Sequence, residues 1–261
     1  MAIAPSCPAC GRDMKLRTAQ RGPKAGGQFW GCTGYPECRT TRDCAPEEQA
    51  PSGEFTPISA GNRRDNPYLW VTWLAENMSG DVSCQWKNWF RAHHKLAQEE
   101  PSGDMTSWRM AHTLMLSQWT QRLRAQGARV LNEYEVRMRF PQLRSTLSGK
   151  ADLIAIQGDD VTIIDCKTGR PKDRDKVQVM LYMHGLATFD PAFSSSRIRG
   201  LVAYQDEADF EIPELPAGFT QSLEHFVGLL SDDEEAAPRV PGNDCRFCPI
   251  TRLDCPEKVS S

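Results

Sequence analysis

Residues 148–170, SGKADLIAIQGDDVTIIDCKTGR, set two short apolar stretches around a polar turn. Leu153 to Ile156 and Val161 to Ile164 are each too short for a helix. Gly158, Asp159 and Asp160 between them are turn formers, so the pattern predicts a β-hairpin. Upstream, Arg129 to Phe140 alternates Tyr134, Val136 and Met138 against Glu133, Glu135 and Arg137, the period of a strand with one buried face. On either side the period becomes helical. Trp108, Met115 and Trp119 form the inward stripe of a helix in SWRMAHTLMLSQW, and Lys172 to Phe189 carries a second helical pattern. A strand around Arg199 to Tyr204 and a helix over residues 216–230 follow. The predicted order is helices, three strands, a helix and a further strand, an α/β class with a mixed sheet flanked by helices.

Period 2 decides which side chains meet. Asp165 and Lys167 share one strand face, while Cys166 turns into the core and keeps its backbone carbonyl near the acids. Asp152 opens the first arm, so the hairpin sets it beside Asp165. Gly149 to Asp152 reads G-x-x-D, Asp165 to Lys167 reads D-x-K, and Gln178 and Tyr182 stack four apart on the helix as Q-x-x-x-Y. Two carboxylates and a carbonyl are the oxygen ligands that Mg2+ or Mn2+ takes. A lysine two residues on can orient a water or neutralise charge on a phosphate. Strand-end acids beside a solvated lysine would explain D-x-K alone; three motifs in order at short spacing favour a site.

These motifs resemble the PD-(D/E)XK nucleases, in particular the RecB-like exonuclease branch that includes the CRISPR-associated exonucleases, over residues 67–261. The resemblance implies a restriction-endonuclease-like sheet and a metal-dependent deoxyribonuclease, with Asp152, Asp165, Lys167, Gln178 and Tyr182 at the catalytic centre. It also implies that His112, on the helix before the first strand, joins Asp152, Asp165 and the Cys166 carbonyl around Mg or Mn. By its spacing alone, a histidine on that apolar stripe is more often a hydrogen-bonded core residue; His93, His94 and His184 read as packing. Glu135 is a further candidate that a solvated strand face explains as easily. The substrate implied is single-stranded DNA, cut exonucleolytically, commonly from the 5′ end, in repair, recombination or CRISPR-type processing. With no G-x-x-x-x-G-K-[ST] in the chain, unwinding would fall to a helicase or other DNA-processing partner.

Ten cysteines, with no signal-peptide pattern and no membrane-spanning run, point to a reducing, cytoplasmic setting in which thiols bind metal, and to no membrane partner. Cys7, Cys10, Cys32 and Cys38 supply four thiolates for a tetrahedral zinc. That segment resembles the C-terminal zinc ribbons of bacterial type IA topoisomerases, down to FWGC and YPEC. Residues 1–44 hold seven Lys and Arg against three Asp and Glu, while the whole chain is at −3. Phe29, Trp30 and Tyr35 interleave with these cations, as in proteins that stack single strands, although Trp30 also suits the ribbon's small core.

Residues 45–66, rich in Pro, Gly and Ser, read as a linker between the ribbon (1–44) and the nuclease body (67–261), with a random-coil reach of about 25 Å. Within the body, Cys84 at a helix start and Cys245, Cys248 and Cys255 near the other end resemble the ligands of the iron-sulfur subset of the family, implying a 4Fe-4S cluster. Spacing alone leaves zinc open there. Cys44 has no assigned role. The residues after Cys44 hold 24 basic against 31 acidic groups, so any phosphate path is local, and Arg137, Arg139, Arg144, Lys150, Arg170, Lys172 and Arg174 crowd the motif strands. Two other classes stay open: a non-catalytic DNA-binding accessory protein using this fold as a scaffold, and a ribbon-led accessory of a topoisomerase or transcription complex.

Overall fold

The computed structural model describes residues 5–19, 28–43, 62–96, 106–234 and 237–259. It divides into two units, Met1–Phe55 and Thr56–Ser261. In the first, strands β1 (Met14–Thr18), β2 (Gln28–Cys32) and β3 (Thr41–Asp43) form an antiparallel meander. Its core is Cys7, Met14 and Cys32 with Trp30 and Cys38 against them, so little apolar surface holds it and the thiols must contribute. Cys44 and linker residues 45–61 lie outside the described residues.

The second unit opens with β4 (Tyr68–Trp70), which runs directly into α1 (Val71–Ser79), then α2 (Trp86–His93) and α3 (Thr106–Ala125). Strands β5 (Arg129–Phe140), β6 (Ser145–Gln157) and β7 (Asp160–Lys167) follow, then α4 (Asp173–Phe189), β8 (Arg197–Tyr204), β9 (Phe210–Ile212) and α5 (Phe219–Ser231). The six strands make one mixed sheet in the order β4-β6-β7-β8-β9, with β5 on the other edge of β6. Residues such as Leu74, Trp89, Leu181 and Leu223 from α1, α2, α4 and α5 bury one face, and Met115 of α3 covers Leu153, Ile164 and Cys166 on the other. The alternating β5 pattern and the β6–β7 hairpin form as their periods require. The three-residue strands β4 and β9 were not expected, being too short to show a period.

Several expectations change. The end of the expected linker is tied down, since Arg64 donates its amide to the His93 carbonyl at 2.7 Å and Lys95 donates to Asn62 at 2.8 Å. Met115 is buried on α3, but Trp108, expected on the same inward stripe, is 50% exposed. His93 and His94 are buried in the core, as is His184. No helix among the described residues is long and apolar enough to cross a membrane.

Two irregularities of β6 shape the sheet around the motif residues. On one edge it pairs with β4 through Thr146, Leu147 and Ser148, then with β7 from Leu153 onward. Gly149, Lys150, Ala151 and Asp152 therefore face no strand there. On the other edge the β5 ladder skips one pair, Glu133 opposite Asp152, and Glu133 has φ 49°. Both strands change face at that point: Val130, Leu153 and Ala155 pack toward α3, whereas Val136, Met138 and Ala151 pack on the α4 side. A left-handed backbone costs a residue with a Cβ about 1–2 kcal/mol. Glu133 already bears that cost, so Glu133→Val, with its branched Cβ, should lower stability further, by about 1 kcal/mol, and Glu133→Gly, which relieves it, should leave stability nearly unchanged, in urea unfolding followed by fluorescence. Equal losses for the two would show that the twist is not set at Glu133.

Candidate active site

The site is built where β6 loses its strand partners. Asp152 fills part of that opening with its side chain, and Oδ2 accepts the Cys166 amide proton at 2.8 Å, where the β6–β7 ladder has ended. The Lys150 carbonyl, also without a strand partner, accepts the Tyr182 hydroxyl at 2.8 Å. Gly149 is required by the same contact, since a Cβ there would lie 2.9 Å from the Tyr182 oxygen and 2.8 Å from Val71 Cβ. The first glycine and the last acid of G-x-x-D thus bracket the gap in the ladder.

Asp165 and Lys167 stand on the α4 face of β7, and α4 presents Gln178 to both. Gln178 Nε2 donates to Asp165 Oδ1 at 3.0 Å, and Lys167 Nζ donates to Gln178 Oε1 at 3.3 Å. Lys167 Nζ also forms an ion pair with the buried Asp165 Oδ2 at 2.6 Å. From the other side of the sheet, His112 of α3 brings Nε2 to 3.4 Å from Asp152 Oδ2, its ring stacked on Trp108 at 5.5 Å and 11°. Cys166 packs beside Met115 in the α3 layer, as its alternation requires.

Burial pushes the Asp165 carboxyl up to about 6, Lys167 opposing and Asp152 adding to the rise. Burial also works against the Lys167 ammonium, but Asp165 more than offsets it, so the lysine is held above its ordinary range. A buried acid whose charge Lys167 offsets only in part, a second carboxylate acting on it and an imidazole on that carboxylate suit a divalent cation. The donors are oxygen with one imidazole and contain no exposed thiolate, a set for Mg2+ or Mn2+ rather than a soft metal.

The sequence pattern left some neighbours unseen. Asp175, in the first turn of α4, accepts the Lys172 amide at 3.0 Å and the Tyr204 hydroxyl at 3.2 Å, and its charge acts on Asp165 and Lys167. Its place as the third residue of α4, three after the N-cap Lys172, was the available signal. A cleft of about 370 Å³ opens beside Lys167, with Arg170 and Lys172 on its wall. Of the cations expected to form a phosphate path, Arg137 pairs with Glu135, Arg144 with Asp233, and Arg174 with Glu76. Glu135 also accepts from Ser148 at 3.3 Å, and no contact among the described residues brings it to Asp152.

The ribbon gathers its own donors. Cys7 and Cys38 sulfurs are 3.7 Å apart, Cys10 and Cys32 3.4 Å, and all four lie within 4.8 Å of one another. Thiolates 2.3 Å from a tetrahedral zinc stand about 3.8 Å apart, so the set fits that ion. The Ala9 amide first, with help from neighbouring groups, holds the Cys7 thiol down to about 6. Trp30 packs in the ribbon core and Tyr35 is 61% exposed. Cys84, Cys245, Cys248 and Cys255 are also neighbours: burial raises Cys255, and the other three thiols add to the rise. They are more open, since among the described residues only the ribbon thiols draw three or more donors within 4.8 Å.

Comparison with known proteins gives these features a family. The model of the PD-(D/E)XK nuclease superfamily matches residues 75–255. The chain belongs to that superfamily. Its first unit matches the topoisomerase DNA-binding C4 zinc finger over residues 4–47, so this superfamily member carries an N-terminal zinc ribbon of topoisomerase type. A search of curated proteins finds no match. The crystal structure of SSO0001 is similar at a TM-score of 0.41 and 19% identity, over 77% of this chain and 91% of that chain, a likeness too distant to assign a function.

The raised Asp165 sets a pH dependence. An acid raised from 3.8 to about 6 on folding favours the folded state while protonated, so the metal-free protein should lose stability as pH climbs from about 4 to about 6. Protons and metal then compete for one carboxylate. Calorimetric Mn2+ affinity at this site should fall about tenfold per unit below about pH 6 and level off above it. Affinity that stays flat across that interval would contradict the assignment of Asp165.

Proposed function

We propose that the protein is a divalent-metal-dependent deoxyribonuclease that degrades single-stranded DNA exonucleolytically, from the 5′ end. The observation that carries this reading is the buried Asp165 carboxylate, raised by burial and by Asp152 and paired with Lys167 at 2.6 Å. Asp152, Asp165, His112 and the carbonyl of Cys166 would hold Mg2+ or Mn2+. That carbonyl leaves β7 on the same edge as the amide bonded to Asp152, because a strand residue directs both groups to one neighbour. When bound, the ion supplies charge to the scissile phosphate and a more acidic water.

The chain's own residues do the rest. Lys167, held protonated by Asp165, sits where it can orient the attacking water or balance charge gathering on the phosphate. Gln178 keeps Asp165 and Lys167 in register, and Tyr182 ties α4 to the open edge of β6, so both act by positioning. Arg170 and Lys172 offer positive charge to the neighbouring phosphate. The basic ribbon, with Tyr35 exposed, offers a second strand-binding surface. Cytoplasmic DNA repair, recombination or CRISPR-type processing is the setting this chemistry suits, with a helicase or similar partner supplying unwound DNA.

The second cysteine group is proposed to hold a 4Fe-4S cluster. Its thiols stand farther apart than around one zinc, as cubane ligands do, and the Gly242 amide points to Cys245 sulfur at 3.5 Å. Such a cluster would fasten the start of α2 to the C-terminal segment, where Ser83 also donates to Asp244 at 2.9 Å.

With Mn2+ and end-labelled single strands, the wild type should release nucleotides. Asp165→Ala and Lys167→Ala should each lower the rate by at least about 10²-fold, the scale of a lost catalytic group. If Lys167→Ala cut as fast as wild type, the assignment of Lys167 would be wrong; a wild type that releases no nucleotides while still binding the strand would leave an accessory DNA-binding role instead. Protein purified without oxygen should absorb near about 400 nm through thiolate-bound iron and lose the band in Cys84→Ala; a colourless, zinc-only protein would remove the cluster.

A further inference from the structure

Trp108 lies seven residues before Met115 and so shares its helix face. Met115 is buried at 7% exposure, with Leu116, Trp119 and Leu123 packed in the same layer against the sheet. Two turns earlier the face is the same but the cover is gone, since Trp108 is 50% exposed. The start of α3 is thus more open than its middle, and it lies beside the acids. One face of the indole lies parallel to His112, which reaches Asp152. The part of the indole left open to solvent therefore lies beside the acids, where an aromatic ring can take a stacked base.

We propose that Trp108 is a stacking platform for an unpaired nucleobase of the strand being cut, and so a residue that selects single-stranded over duplex substrate. The inference rests on the proposed nuclease activity and specifies its substrate. The occupant follows from continuity with the site: a strand whose phosphate meets Asp152, Asp165 and His112 carries its adjacent base past the neighbour of His112. Base–indole stacking has the sequence tolerance that a degradative enzyme needs, because every base offers a π-face. A base held in a duplex keeps its own stacking neighbours and pairing partner, and must give them up before it can lie on Trp108.

The test uses full-length protein and single-stranded oligonucleotides containing 2-aminopurine, whose emission falls when it stacks. In Ca2+, before any Mn2+ is added, wild type and Trp108→Phe should quench the probe when it occupies one register from the bound end. Trp108→Ala should leave it bright and bind about tenfold more weakly. Once Mn2+ is supplied, Trp108→Ala should raise KM for single strands by a similar factor while its half-saturating Mn2+ concentration stays at the wild-type value. Equal quenching by wild type and Trp108→Ala would overturn the proposal. So would a Trp108→Ala protein changed only in its Mn2+ requirement, which would make the indole a support for His112. Quenching that depends on Trp108 in a wild type that never cuts would uphold the stacking site and remove the nuclease reading alone.

Discussion

Everything in the nuclease unit depends on a gap along one edge of β6. A central strand normally has its amides and carbonyls taken by neighbours on both sides, and an open stretch must find substitutes. Here β4 stops pairing at Ser148 and β7 begins at Leu153. The Tyr182 hydroxyl takes the Lys150 carbonyl and the Asp152 carboxylate takes the Cys166 amide. Those substitutes bring an acid from β6, an acid and a lysine from β7, and a glutamine and a tyrosine from α4 to one place. The site is how this sheet closes its gap.

Charge explains why the arrangement is poised rather than merely packed. Asp165 is almost wholly removed from water, and Lys167 compensates only in part, leaving the acid raised. A natural core would avoid such a residue or pair it fully. Partial compensation leaves the acid dependent on whatever cation arrives, and ties ion binding to protonation. On the α3 side His112 meets the same carboxylate that β7 uses for its amide, so both layers of the fold converge on Asp152. The family match over residues 75–255 takes in both layers.

Much of this was legible in the sequence because it rests on short-range periods. Alternation across β7 puts Asp165 and Lys167 on one face and Cys166 on the other; the four-residue step puts Gln178 and Tyr182 together. What could not be read depends on where elements end in space. Trp108 has the spacing of a core residue, yet half of it is exposed. Glu133 reads as an ordinary outward strand residue, and its left-handed backbone answers a face change shared with β6. β4 and β9, three residues each, are set by their partners rather than by pattern. Asp175 sits in the first turn of α4 with nothing in its local pattern to mark it, and Tyr204, 29 residues downstream, makes it a buried neighbour of the site.

The most direct test is to locate the ion. Crystals soaked in Mn2+ and measured at the manganese edge should show one anomalous peak within coordination distance of Asp152, Asp165 and His112, absent in Asp152→Asn. A fully occupied peak elsewhere, or none at saturating Mn2+, would contradict the claim that the opening in β6 is a metal centre.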